Sequence, residues 1–211
     1  MSISESKRQK QLARKKKKRQ EKKSDTALKA SDTSCVIKNA AQASRFPIYE
    51  CLVPDSIFEE GIGMIVVSRK LDHGKIGISV ILLDVWCLGA KNAYFRVVTS
   101  TGYQETLRSI NTNERLQKIH LVCARKLVED CVDYAKALGF DPHPDYEVAK
   151  PIFGDIDPAE CSEIYTFGQD GQPCFIAGPN DSPQRCKKIM NTLEKSCSPD
   201  GFHYIIGMPS L

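Results

Sequence analysis

Two long apolar runs, Ile62 to Leu71 and Lys75 to Leu88, meet at Asp72-His73-Gly74, and together they commit this chain to a β-hairpin. Val, Ile and Leu dominate both runs, and β-branched side chains suit a pleated, half-buried surface. The Asp-His-Gly tripeptide supplies turn chemistry between them. Pro47 to Val53 reads as a short strand before the hairpin and Asn92 to Val98 as another after it.

Beyond Gly102 the spacing changes. Tyr103 to Ile110 is helix-like, and Glu114 to Leu138 places Leu116, Ile119, Cys123, Leu127, Cys131, Tyr134 and Leu138 three or four residues apart. That spacing predicts one long amphipathic helix that stops at Gly139. Asp145 to Phe153 reads as a short helix, and Asp157-Pro158-Ala159-Glu160 as a cap with proline in the first turn. Ile164 to Phe167 and Cys174 to Ala177 predict a second hairpin around Asp170-Gly171. Ser182-Pro183 opens a helix to about Lys195, and Phe202 to Ile206 closes as a strand. Strands, then helices, then a strand-strand-helix-strand series predict an α+β fold. Its sheet is mostly antiparallel and built from hairpins, with the C-terminal helix packed on the long one.

Charge divides the chain. Residues 1–23 hold eleven of its 30 Lys and Arg (Lys7, Arg8, Lys10, Arg14, Lys15, Lys16, Lys17, Lys18, Arg19, Lys22, Lys23) and two of its 26 Asp and Glu, a balance of +9. Residues 24–211 carry the remaining −5. Neighbouring like charges repel, and Leu12 and Ala13 are the segment's main apolar residues, so a disordered basic tail is expected over 1–23. Residues 24–45, polar and without periodicity, read as a linker, and 46–211 as a single α+β domain. The longest apolar stretch, Ile76 to Ala90, contains Asp84 and falls short of the roughly twenty apolar residues that a membrane-spanning helix needs. No secretory or transit pattern accompanies the lysines.

Nine cysteines, no two spaced C-x-x-C, argue against a zinc ribbon or a redox dithiol. They read as reduced, packed thiols in a cytoplasmic protein, nuclear if the source is eukaryotic. Cys123 and Cys131 are eight positions apart on the expected helix, about 12 Å along its axis and too far to bridge.

Four constellations carry candidate chemistry. In Asp141-Pro142-His143-Pro144-Asp145, each proline extends the residue before it, so Asp141, His143 and Asp145 can face one point and hold a divalent metal. The simpler reading makes Asp145 a helix cap and His143 a loop residue. Asp84 lies in an apolar run, where a carboxylate needs a partner: a metal, a basic side chain or backbone amides. Cys87, beside Gly89 and Lys91, is either an activated nucleophile or a packed thiol. Finally, Ser182-Pro183 precedes Arg185, Lys187 and Lys188, a helix start that can either bind phosphate or simply cap itself, with Asp181 opposing an anion.

The basic segment leads to an expectation of nucleic-acid association, RNA foremost, because clustered cations release the counterions condensed on a polyanion. A metal-dependent hydrolase or nuclease using Asp84, His143 and Asp145 is the alternative, and it would require a divalent metal. A non-catalytic interaction or regulatory factor, meeting a protein partner through its acidic body, is the third. No nucleotide loop, dinucleotide fingerprint or nucleophile elbow is present, so no organic cofactor is expected.

Overall fold

The computed structural model of the chain describes residues 35–111, 115–179, 181–198 and 201–205. The basic segment 1–23 lies outside these described residues. Helix α1 covers residues 35–43, and with Ala40 and Ala43 buried it belongs to the core, although the sequence reads it as linker.

β1 (Ile48–Pro54) precedes the one-turn helix α2 (Ile57–Glu60), and β2 (Ile62–Lys70) and β3 (Lys75–Asp84) then form the expected hairpin. Its register runs from Ile62 opposite Asp84 to Lys70 opposite Ile76, and at its turn His73 (φ 56°) and Gly74 (φ 69°) take left-handed backbone. A second hairpin follows directly, because the run to Leu88 breaks at Asp84 and returns as β4 (Gly89–Thr99). The five-stranded sheet has the order β4-β3-β2-β1-β5 and is antiparallel throughout.

β5 (Leu116–Lys118) corrects the expectation of one helix from Glu114 to Leu138. Its three residues pair with β1, Ile119 donates its amide to the Cys51 carbonyl, and helix α4 runs only over Leu121–Ala137. The apolar spacing of Leu116 and Ile119 stays in phase with the helix, so periodicity alone could not separate them. The open edge of β1 decides the outcome, since its backbone groups need partners.

Alternation along β2 and β3 divides two layers. Ile65, Val67, Ile81 and Leu83 face α1, α4 and α5 (Tyr146–Ala149), with Leu127, Val128, Ile152 and Phe153 filling that core. Val66, Ile78 and Val80 face α3 (Ser100–Asn111), which inserts Tyr103 and Ile110. A third, smaller core forms where α6 (Pro183–Ser196) sets Cys186, Ile189 and Leu193 against Cys87, Leu88, Leu138 and Phe175.

The predicted hairpin of Ile164–Phe167 with Cys174–Ala177 does not form. Around Asp170-Gly171 the pairing is a single Gln169–Gln172 bridge, and β6 (Cys174–Ile176) pairs in parallel with β7 (His203–Ile205) across α6. Residues 164–167 are held by their rings instead: Tyr165 stacks on Phe58 and Phe167 on Tyr134.

Arg69 is the buried cation of the sheet, 7% exposed. Its guanidinium donates to three backbone carbonyls, Phe46 at 2.9 Å, Ile152 at 3.2 Å and Phe153 at 3.0 Å. It thereby fastens the turn after α5 and the entry to β1 onto β2. Burial pushes its pKa down from the usual guanidinium value. Arg69→Met should cost about 3 kcal/mol in urea unfolding, because charge-assisted bonds are lost and carbonyls are stranded, and Arg69→Lys should recover only part, having no planar fork.

One pair of cysteines departs from the all-thiol expectation: Cys123, on α4, is bonded to Cys161, just after a short 3-10 turn (Pro158–Glu160), with 5.2 Å between Cα atoms. The sequence carries no signal for it, because the partners are 38 positions apart and share no motif. The other seven cysteines are free. Cys161→Ala, or full reduction, should lower unfolding free energy by about 3 to 4 kcal/mol for a loop of this length, read as a shift in denaturant midpoint with and without reductant.

Candidate functional site

Asp84 is the carboxylate the sequence singled out, and the structure gives it a positioning task. Its Oδ1 accepts the amides of Trp86 at 3.2 Å and Cys87 at 2.9 Å, folding the chain from β3 into β4. Its Oδ2 lies 3.8 Å from the Lys91 ammonium. Burial pushes the Asp84 pKa up, while Lys91 and the amides of Cys87, Leu88 and Trp86 oppose that shift. Gly89 (φ 66°) then lets β4 start against α4, where a Cβ would come within 2.8 Å of Ala135 Cβ.

Cys87 is fully buried, and its thiol pKa is driven far up by burial and by Asp84. Such a sulfur is protonated at neutral pH and packs against α6, which makes it a core thiol and not an activated nucleophile.

The proline loop also differs from the metal reading. His143 donates its backbone N–H to the Ala90 carbonyl at 2.8 Å, joining the loop to the start of β4. Its Nδ1 accepts the Asp145 amide at 3.3 Å and lies 3.6 Å from the Asp145 carboxylate. Asp145 occupies the N-cap position of α5 with no side-chain cap bond, and Asp141 lies apart from it, on the wall of a neighbouring cleft. Among the described residues no three His, Cys, Asp or Glu side chains are grouped to hold a metal ion. Both expected sets, Asp84 with His143 and Asp145, and Asp141 with His143 and Asp145, therefore fail to converge. The histidine's backbone is pinned to β4, its carbonyl accepts the Tyr146 amide in a turn, and its ring folds back onto its own loop.

These elements assemble a cleft of about 460 Å³. Its floor is Leu88, Ala90 and Lys91, one wall is the loop from Gly139 to Pro144, and the other is the α6 face bearing Arg185, Lys188, Ile189 and Thr192. Three cations and His143 line it against one carboxylate, Asp141. The Ser182 hydroxyl caps α6 by accepting the Arg185 amide at 3.2 Å, so the helix start is satisfied by its own cap. Asp181 turns inward, where its carboxylate accepts from Gly178 N and pairs with Arg185 Nε at 3.0 Å. A Ser196 hydroxyl bond to the Leu138 carbonyl at 2.8 Å fixes the far end of α6 to the end of α4. Arg185, Lys188 and Lys91 were each visible in the sequence; their convergence was not, because it depends on how α6 docks.

A second cleft, about 490 Å³, opens at the other end of α4, lined by Asp55, Lys118, His120, Glu163 and Tyr165 among others. Its mixed charge selects no ligand sign. Compared with known proteins, the chain matches no family model, no curated protein and no solved structure.

Asp84 yields a signed prediction. A folded carboxyl with a raised pKa costs stability when ionised, and that cost disappears as pH falls through the folded pKa toward the ordinary carboxylate value. Asp84→Asn keeps an acceptor for both amides, so wild type should gain stability relative to this variant as pH drops from 7 through the raised pKa. Asp84→Ala, which strands two buried amides, should lose about 2 to 3 kcal/mol at pH 7 in thermal or urea unfolding.

Proposed function

We propose that this protein associates with nucleic acid, RNA foremost, through residues Lys7 to Lys23. The observation that carries the reading is the separation of charge, +9 in residues 1–23 against −5 in the rest. Eleven cations within a short segment neutralise phosphates along a strand and release counterions, which gives affinity that depends on charge density. The segment has no aromatic side chain on which a base could stack, so base preference is weak. The acidic body opposes non-specific spreading over a polyanion and leaves the basic segment to make the contact. Among the described residues no helix is long and apolar enough to cross a membrane.

The test is binding of a single-stranded RNA to the full chain across a salt series. Replacing Lys15, Lys16, Lys17 and Lys18 with Gln should weaken binding by roughly tenfold or more at low salt. It should also flatten the slope of log K against log salt, by about 0.7 for each phosphate no longer neutralised. Unchanged affinity in that variant, or a flat salt response in the wild type, rejects the proposal.

A further inference from the structure

We propose that the cleft between the start of β4, the Gly139–Pro144 loop and α6 is a binding site for a terminal phosphate, a phosphomonoester carried by a ligand of about mononucleotide size. The inference stands apart from the N-terminal segment and uses only groups that line the cleft.

Charge sign comes first. The body is acidic overall, yet here Lys91, Arg185 and Lys188 gather around one carboxylate. Two of the three have carboxylate partners, and both partners lie behind the wall. Asp84 also accepts the amides of Trp86 and Cys87, and Asp181 the amide of Gly178, so each anion has backbone partners besides its cation, and neither lines the cavity that the cations line. Lys188 faces no carboxylate at ion-pair distance among the described residues. Three cations presented together on one concave surface, their paired carboxylates off the lining, match the several oxygens of a phosphate.

Shape then narrows the ligand. The Lys91 side chain is 14% exposed at the floor, while Arg185, at 55%, stands at the rim. A terminal phosphate, with chain on one side only, reaches a largely buried floor cation more readily than an internal phosphodiester, with chain on both sides. The volume of about 460 Å³ falls within the range of small-molecule sites and admits the phosphate with an organic body beside Phe140, Pro142 and Ile189. His143 lines the same cleft.

The phosphate can arrive on a free nucleotide or on the end of an RNA strand, and the experiment separates the two. The full chain is titrated calorimetrically with adenosine 5′-monophosphate, adenosine, and one oligoribonucleotide made with a 5′-phosphate or a 5′-hydroxyl. The nucleotide, or the phosphorylated strand over its hydroxyl twin, should bind about tenfold more tightly than the form lacking the phosphate. Lys188→Glu, exposed and outside the core, should erase that preference with the melting temperature held within about two degrees; Arg185→Glu should erase it too, with a lower melting temperature because it leaves the inward-turned Asp181 facing a like charge, whereas Asp141→Asn should strengthen it about twofold or more. The Gln variant at Lys15 to Lys18 should leave the preference intact even as total strand affinity falls, which separates failure of this site from failure of the basic segment. Preference for the free nucleotide identifies a small ligand, and preference confined to the strand identifies an RNA end. Equal binding with and without the terminal phosphate, or a preference untouched by both Glu variants, overturns the proposal.

Discussion

A single guanidinium organises the centre of this fold. Arg69 is buried beside β1 and gives its hydrogen bonds to three carbonyls from two distant stretches of chain, and among the described residues no carboxylate pairs with it. The carbonyls belong to residues that leave regular structure, Phe46 before β1 and Ile152 and Phe153 in the turn after α5, where backbone acceptors have no ladder to join. Burying a cation costs several kcal/mol, and that cost is offset only while all three acceptors keep their geometry. The arrangement therefore couples the sheet, the chain between α1 and β1, and the turn that follows α5. Ser79, donating to the Ala149 carbonyl at 2.9 Å, adds a second tie across the same interface.

The hairpin at Asp72-His73-Gly74 and the strands around it were legible because burial on both faces leaves near-continuous apolar runs. The α6 boundary was legible too, its Ser182-Pro183 start being a local cap. Three features were not. β5 was hidden inside a helical period, residues 164–167 carry alternating apolar character but find ring partners instead of strand partners, and the Cys123–Cys161 bond joins segments with no shared motif. Each depends on a partner brought in by tertiary packing, which no local pattern encodes.

The candidate site divides in the same way. Asp84 was recognisable as a carboxylate needing a partner, and backbone amides with Lys91 supply what the apolar run requires. The Asp-Pro-His-Pro-Asp stretch was conspicuous, but a geometric ligand set needs side chains to turn inward together, and the Asp145 carboxylate is not among the groups lining the cleft. The convergence of Lys91 with α6 rests on the small third core. Cys186, Ile189 and Leu193 hold one helix face to Cys87 and Leu88, and that packing rotates Arg185 and Lys188 toward β4.

The turn that Asp84 builds has a thermodynamic corollary. A lysine on a free surface loses substantial rotamer entropy when it grips an anion, and that loss is subtracted from affinity. Here the Lys91 stem is already confined at the cavity floor by packing and by its buried acid, so its freedom was surrendered during folding. An incoming anion meets a cation whose orientation is settled beforehand, and the enthalpy of the contact is diminished far less by ordering.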